Sequence, residues 1–186
     1  MLLRSWQDSD LDAYLDLYSR DEVMRWLGPQ PRRALQDVEE ARARLTRWHD
    51  REAVLQAPLG LWALVPLDGA DAAPVGTVLL LPLDEDGVAT DQVEVGWHLH
   101  PDHQGRGLVT EAAAALLTRA AGAGIREVLA LTDLHNVASQ AVAGRLGMTD
   151  EGETRRWFGL TTRQFRWRAD PEPGRGVPGP VGPRRP

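Results

Sequence analysis

The chain has 186 residues, 42% of them hydrophobic, enough for one well-packed core and not for two. It contains no cysteine, so disulfides, thiolate metal sites and a cysteine nucleophile are all excluded. A formal net charge of −6 argues against general nucleic-acid binding, which needs a basic face, and taken over the whole chain it favours cationic partners.

No apolar run approaches the ~20 residues of a membrane span, and the N-terminus lacks a signal-peptide pattern. The expectation is a soluble cytoplasmic protein, monomeric or homodimeric. All 21 basic residues are arginine, which a coding bias explains as well as any function does.

In chain order, Leu2 to Trp6 reads as a short strand. Asp8 or Ser9 can cap a helix carrying Leu11, Tyr14, Leu15 and Tyr18 at helical spacing. Gly28-Pro29-Gln30-Pro31 is a sharp break. A second amphipathic helix is expected from Ala34 to Asp50, striped by Leu35, Val38, Ala41 and Leu45. Leu59 to Leu67 and Val75 to Leu83 read as a strand pair across the turn signal Asp68-Gly69-Ala70-Asp71. The second of these strands is almost continuously apolar, which suits burial on both faces.

After a turn at Asp84 to Gly87, Gln92 to His100 alternates. Val93, Val95, Trp97 and Leu99 fall on one side, and Glu94, Gly96, His98 and His100 on the other. Pro101 stops the strand, the loop Gln104-Gly105-Arg106-Gly107 follows, and Thr110 to Ala121 is a strong alanine-rich helix. Ile125 to Thr132 reads as a fifth strand, and Asn136 to Leu146 as a helix capped by Asn136 and ended at Gly147. Two last strands, about Thr149 to Phe158 and Thr161 to Arg168, meet at a turn with Gly159. The last sixteen residues hold six prolines and four glycines, a composition that cannot bury a core. One folded domain over 1–169 and a disordered tail over 170–186 are therefore expected.

A strand, a glycine loop and a helix start together offer free amide N–H groups to an anion. The loop sequence Gln104-Gly105-Arg106-Gly107-Leu108-Val109 resembles the acetyl-CoA motif of the GNAT acetyltransferases, Gln/Arg-x-x-Gly-x-Gly/Ala, with Val109 departing at its last position. With GWHLHP before it and TEA after it, the order resembles the ribosomal-protein N-terminal acetyltransferase branch, over roughly Leu2 to Arg168. The segment Asn136 to Met148 is the second point of resemblance, with Arg145 where the family usually has Lys.

The resemblance implies an α/β (α+β) fold, with a mixed, mostly antiparallel twisted sheet of six to seven strands and about four flanking helices. It implies N-acetyl transfer from acetyl-CoA to a primary amine, either a protein N-terminus or a small amine. It places the coenzyme on Leu99, His100, Gln104, Gly105, Arg106, Gly107, Leu108, Val109, Thr110 and Asn136, and Ser139 where the family has its donor to the leaving thiolate. Its first two helices line the acceptor site, so Trp26 and Trp48 are pocket candidates, although aromatic residues at this spacing also pack in cores.

Glu94 lies ten residues before Gln104, a spacing that resembles the general-base glutamate of several such enzymes. Burial would raise its pKa into a useful range, while a structural glutamate bonded to backbone fits the same position. Asp133, His135 and Glu111 are weaker candidates for the base. Ser139 fits a helix cap as well as a thiolate donor. His98, His100 and His103 suggest a metal, but no carboxylate completes a ligand set, so none is expected. A non-enzymatic alternative is a coenzyme-binding sensor or structural subunit with the same fold.

Overall fold

The computed structural model describes residues 1–28, 31–67 and 72–170. The expected turn at 68–71, part of the break at 29–30 and the tail from 171 onward lie outside the described residues. Among those described, seven strands form one sheet: β1 (Leu2–Arg4), β2 (Gly60–Val65), β3 (Gly76–Glu85), β4 (Val88–Leu99), β5 (Glu127–Thr132), β6 (Thr149–Thr154) and β7 (Thr162–Arg168). Five helices accompany them: α1 (Leu11–Tyr18), α2 (Asp21–Met24), α3 (Val38–Val54), α4 (Leu108–Gly122) and α5 (Val137–Arg145). None is long and apolar enough to cross a membrane.

The sheet order is β1-β2-β3-β4-β5-β7-β6, and every neighbouring pair is antiparallel except β4 and β5. β3, next to the central strand β4, is apolar on both faces. Val78 and Leu80 pack under α4 with Ala112, Ala113, Leu116 and Leu117. Leu79 and Leu81 form a separate cluster with Leu61, against which Trp48 and Leu55 of the α3 region pack. The same period of two carries into β4, where Val95 faces the α4 core at 1% exposure.

Helix boundaries follow caps more than apolar stripes. α3 starts at Val38 rather than Ala34, because extended Asp37 accepts a hydrogen bond from the Glu40 amide at 2.9 Å. Ala34 is buried ahead of the helix, and the Leu35 amide donates to the Tyr18 carbonyl at 2.9 Å. Neither Asp8 nor Ser9 caps α1. Residues Asp8–Asp10 form one 3₁₀ turn, in which the Asp10 carboxylate accepts from the Gln7 amide at 2.9 Å and from Arg4 at 2.5 and 2.8 Å.

β1 ends at Arg4, and Trp6 turns into the core at 5% exposure, where its indole donates to Thr77 Oγ1 at 3.1 Å. The turn before β4 is shorter than expected. Asp86 and Gly87 both have positive φ, the pattern of a two-residue hairpin turn, so pairing runs on to Glu85↔Val88. β6 stops at Thr154, short of the expected Phe158. α4 begins at Leu108 because Gly107, at φ 76°, is its N-cap.

Gly76 is fixed by a close approach. A Cβ there would lie 2.4 Å from the His98 carbonyl oxygen, a backbone atom that cannot turn aside. Gly76→Ala should therefore destabilise the fold by about 1–3 kcal/mol, as overpacking does elsewhere, read as a lower denaturant midpoint at unchanged slope.

Candidate active site

β4 and β5 are the one parallel pair, and their ladder is the single register pair Glu94↔Leu129. Beyond Glu94 the two strands part while β4 stays paired to β3 as far as Leu99↔Gly76. Two cavities occupy the region this opens. One, of about 300 Å³, is lined by Glu94 to His98 of β4, Ala130 to Thr132 of β5 and the inward face of α3. The other, of about 680 Å³, runs along Trp97 to Leu99, the glycine loop and the start of α5. They share Trp26, Leu27, Trp97, His98 and Ser139, which form a common wall.

The larger cavity gathers most of the residues expected at the coenzyme: Leu99, Gln104, Gly105, Gly107, Leu108, Val109, Thr110 and Asn136. Gly105 and Gly107 both have φ of 76°, a region that side chains disfavour, and space is open where a Cβ would project. Gly107 brings no capping side chain to α4, so the amides of its first turn face the cavity mouth unsatisfied by a cap. This loop and helix start are built to receive an anion.

Val109 belongs to the buried α4 stripe of Val109, Ala112, Ala113, Leu116, Leu117 and Ala120. At 6% exposure its side chain packs inward, which explains how a valine fits the last motif position. Two expected contacts do not line the cavity. His100 is buried, with Nδ1 accepting from the Asp102 amide at 3.2 Å and Nε2 3.2 Å from Asp16. Arg106 engages His103 at 3.1 Å.

Ser139 is not the helix cap. Asn136 is: its side-chain oxygen accepts from the Ser139 amide at 3.1 Å. Ser139 Oγ accepts from the Trp97 indole at 3.3 Å, which leaves its own proton available on the wall between the cavities. Gln140 braces the loop beneath by donating to the carbonyls of Asp133 and Leu134 at 3.3 and 3.0 Å.

Glu94 lines the smaller cavity, partly exposed to it but otherwise enclosed by protein. Burial raises its pKa to about 7, against a lowering pull from Arg51. His98, two residues on, moves oppositely, because burial and then Arg44 lower it to about 3. Its Nδ1 lies 2.9 Å from Tyr18 Oη, which lies 2.8 Å from Thr77 Oγ1. Since Trp6 can only donate to Thr77, the direction that uses every donor runs Trp6 to Thr77 to Tyr18 to His98. His98 is then the neutral tautomer with its proton on Nε2.

Trp26 and Trp48 both line this cavity, as the pocket reading expects. Asp133 lines it too but is tied to Arg32 at 2.8 Å; burial raises its pKa, and the Arg32 hydrogen bond, the His135 amide and the nearby charges together more than reverse that. His135 reaches only the larger cavity, and Glu111 is exposed beside the N-terminal amine at 3.6 Å. Sequence reasoning missed Arg32, Arg44, Arg51 and Phe158, all cavity-lining. Phe158 holds φ 58°, rare for a non-glycine residue and frequent at functional sites. The buried hydroxyls of Thr132 and Thr162, also on cavity residues, have no hydrogen-bond partner among the described residues. Among the described residues, no group of three or more His, Asp or Glu side chains could hold a metal ion.

The same fold recurs in solved structures. A GNAT-family acetyltransferase from Bacillus anthracis superposes with a TM-score of 0.70 at 18% identity, over 90% of this chain and 93% of that one. The Salmonella typhimurium protein yncA, solved with its cofactor acetyl-CoA, gives 0.66 at 19% identity, over 94% and 96%. The ribosomal-protein-S5-alanine acetyltransferase of Vibrio fischeri gives 0.65 at 18% identity, over 90% and 92%. Residues 1–149 match the family model of the acetyltransferase (GNAT) domain, and this chain belongs to the GNAT acetyltransferase family.

Proposed function

We propose that the protein transfers the acetyl group of acetyl-CoA to a primary amine by direct attack within a ternary complex. The observation that carries this reading is the shared wall. A groove ending in a glycine cradle shares Trp97 and Ser139 with a smaller cavity holding a carboxylate with a pKa near neutrality. The larger cavity takes the coenzyme, its pyrophosphate on the amides of Gly105 to Thr110 and its thioester toward the wall.

The acceptor enters the smaller cavity as an ammonium ion. Glu94 takes one proton from it, directly or through water, and the freed lone pair attacks the thioester carbonyl. The C–N bond forms, the C–S bond breaks, the Ser139 hydroxyl donates a hydrogen bond to sulfur as negative charge develops there, and the second proton that nitrogen loses leaves with the coenzyme as its thiol. The start of α5 adds a favourable partial charge at the same place. A sensor without catalysis would need neither the shifted carboxylate nor the uncommitted serine proton.

Three measurements test this. Calorimetry with purified protein should show acetyl-CoA binding, and Gly107→Asp should abolish it by placing bulk and negative charge beside phosphate.

Glu94→Gln should lower kcat by ~10²–10⁴ and remove the part of the acid limb centred near pH 7, leaving only titration of the acceptor amine. Stability should move the other way. With the folded pKa near 7 and the unfolded one near 4.5, the folded state binds more protons between these values, so wild-type stability falls as pH rises through that window. The variant should melt above wild type at pH 8, and the gap should close below pH 4.5.

Ser139→Ala should cost about tenfold to a thousandfold in kcat with little change in melting temperature, because Asn136 carries the cap. A lower melting temperature with normal turnover would remove Ser139 from the mechanism.

A further inference from the structure

The α3 wall of the Glu94 cavity is basic, against the negative charge of the chain as a whole. Arg44, Trp48 and Arg51 recur at i, i+4 and i+7, so they share one helix face, and all three line the cavity. Arg32, across from them, is already neutralised. It donates to Asp133 at 2.8 Å and to the carbonyls of Arg25 and Gly28 at 2.7 and 3.1 Å.

Arg44 and Arg51 are placed differently. Arg44 lies over the Tyr18 ring, 4.4 Å from its centroid, and donates to Met24 Sδ at 3.3 Å. Arg51 is exposed and lies 5.9 Å from the centroid of the Trp48 ring. Among the described residues neither forms an ion pair with a carboxylate. Apart from the Arg44 bond to Met24, no side-chain hydrogen bond among the described residues occupies their N–H groups, which can grip a carboxylate in two parallel bonds. Arg44 is half-buried, and a half-buried cation without a counter-ion carries an uncompensated desolvation cost. The residues facing this pair supply little compensation. Glu94 is only partly ionised near neutrality, and His98 is neutral.

We infer that the acceptor is a primary amine bearing a carboxylate, the carboxylate held by Arg44 and Arg51 and the amine turned toward Glu94. The role of Glu94 here rests on the acetyl-transfer reading; the anion site does not. A polyamine or aminoglycoside would bring further positive charge against two unpaired arginines. The volume of about 300 Å³ is at the small end for ligand pockets and suits one compact molecule. Trp26, Trp48 and Phe158 offer flat apolar surface for its side chain. A free amino acid has this chemistry, and so does a peptide N-terminus followed by an acidic residue.

The test uses the full chain with acetyl-CoA and follows released thiol. Acceptors are L-phenylalanine and L-leucine, their carboxamides, the tripeptides Ala-Glu-Ala and Ala-Gln-Ala, and spermidine. Without a carboxylate to stabilise its ammonium, the carboxamide loses its proton more easily, so intrinsic reactivity favours it and a preference for the acid reports on the protein. The acid should exceed its carboxamide in kcat/KM by about ten- to hundredfold, carried mostly in KM. That ratio should fall toward one in the Arg44→Gln/Arg51→Gln double variant and be partly restored in Arg44→Lys/Arg51→Lys.

Discrimination only between the two tripeptides would identify the acidic N-terminus as the source of the carboxylate and support the inference in that form. Equal rates on acid and carboxamide in both series, or fastest turnover of spermidine, would overturn it while leaving acetyl transfer intact. Calorimetry of the same acids against protein saturated with CoA reads the anion site without turnover. Binding that disappears in the double Gln variant, with no acceptor acetylated, would uphold the anion site and sink the transfer reading. No binding and no turnover of any carboxylate amine would overturn the inference.

Discussion

The parting of β4 from β5 is the constraint on which the rest of the site depends. Parallel strands need a long crossover, and here α4 supplies it, so the glycine loop necessarily sits at the carboxyl end of β4. Antiparallel pairing with β3 and β7 holds each strand on its outer side, yet between them only Glu94↔Leu129 is in register. Past that point the inner edges of both strands lack ladder partners, which is tolerable only where a ligand or water can reach them. The carboxyl ends of strands at such an opening are where open sheets bind ligands. The start of α4 presents uncapped amides to this space, and the start of α5, capped by Asn136, borders it.

One physical cause acts on Glu94 and His98 and gives them opposite shifts. Burial disfavours the charged form, so it raises the acid toward 7 and lowers the imidazole toward 3. The two residues lie on one strand face two positions apart, and near neutrality the wall they form carries little charge. The arginines of α3 therefore set the sign of the cavity potential. Net charge predicts long-range steering and not local field, which is why −6 over the chain is compatible with a basic pocket.

Much of this was legible in the sequence because local patterns and tertiary structure agree in the segment from β4 to α4. Alternation placed Glu94 opposite Val95, and the glycines and alanines that followed marked the loop and helix. The start of α3 was misplaced although its signal was present. Asp37 and Glu40 have cap spacing, but apolar Ala34 and Leu35 extended the apparent stripe, and they pack ahead of the helix instead. The basic wall was not legible at all. Nothing local distinguishes Arg44 and Arg51 from the other arginines of α3, and only the packing of α3 against β2 and β3 brings them to the cavity. The contact between Trp97 and Ser139 spans 42 residues, so no local pattern announces it.

Departures from local rules gather around the cavity. Phe158 takes a backbone conformation that side chains disfavour, and among the described residues the hydroxyls of Thr132 and Thr162 have no partner. Among the same residues Glu94, Arg44 and Arg51 form no ion pair. At the edge of the sheet, by contrast, charges are closely matched. Arg163 meets Asp150 at 2.5 Å, and Arg166 meets both Glu151 and Glu127 at 2.7 and 2.8 Å. Arg32 and Asp133 are paired inside the cavity in the same way, whereas Arg44 and Arg51 meet no carboxylate among the described residues. At the edge the partner is part of the fold. For Arg44, Arg51 and Glu94, the acceptor we propose would bring both an anion for the arginines and a proton for the glutamate.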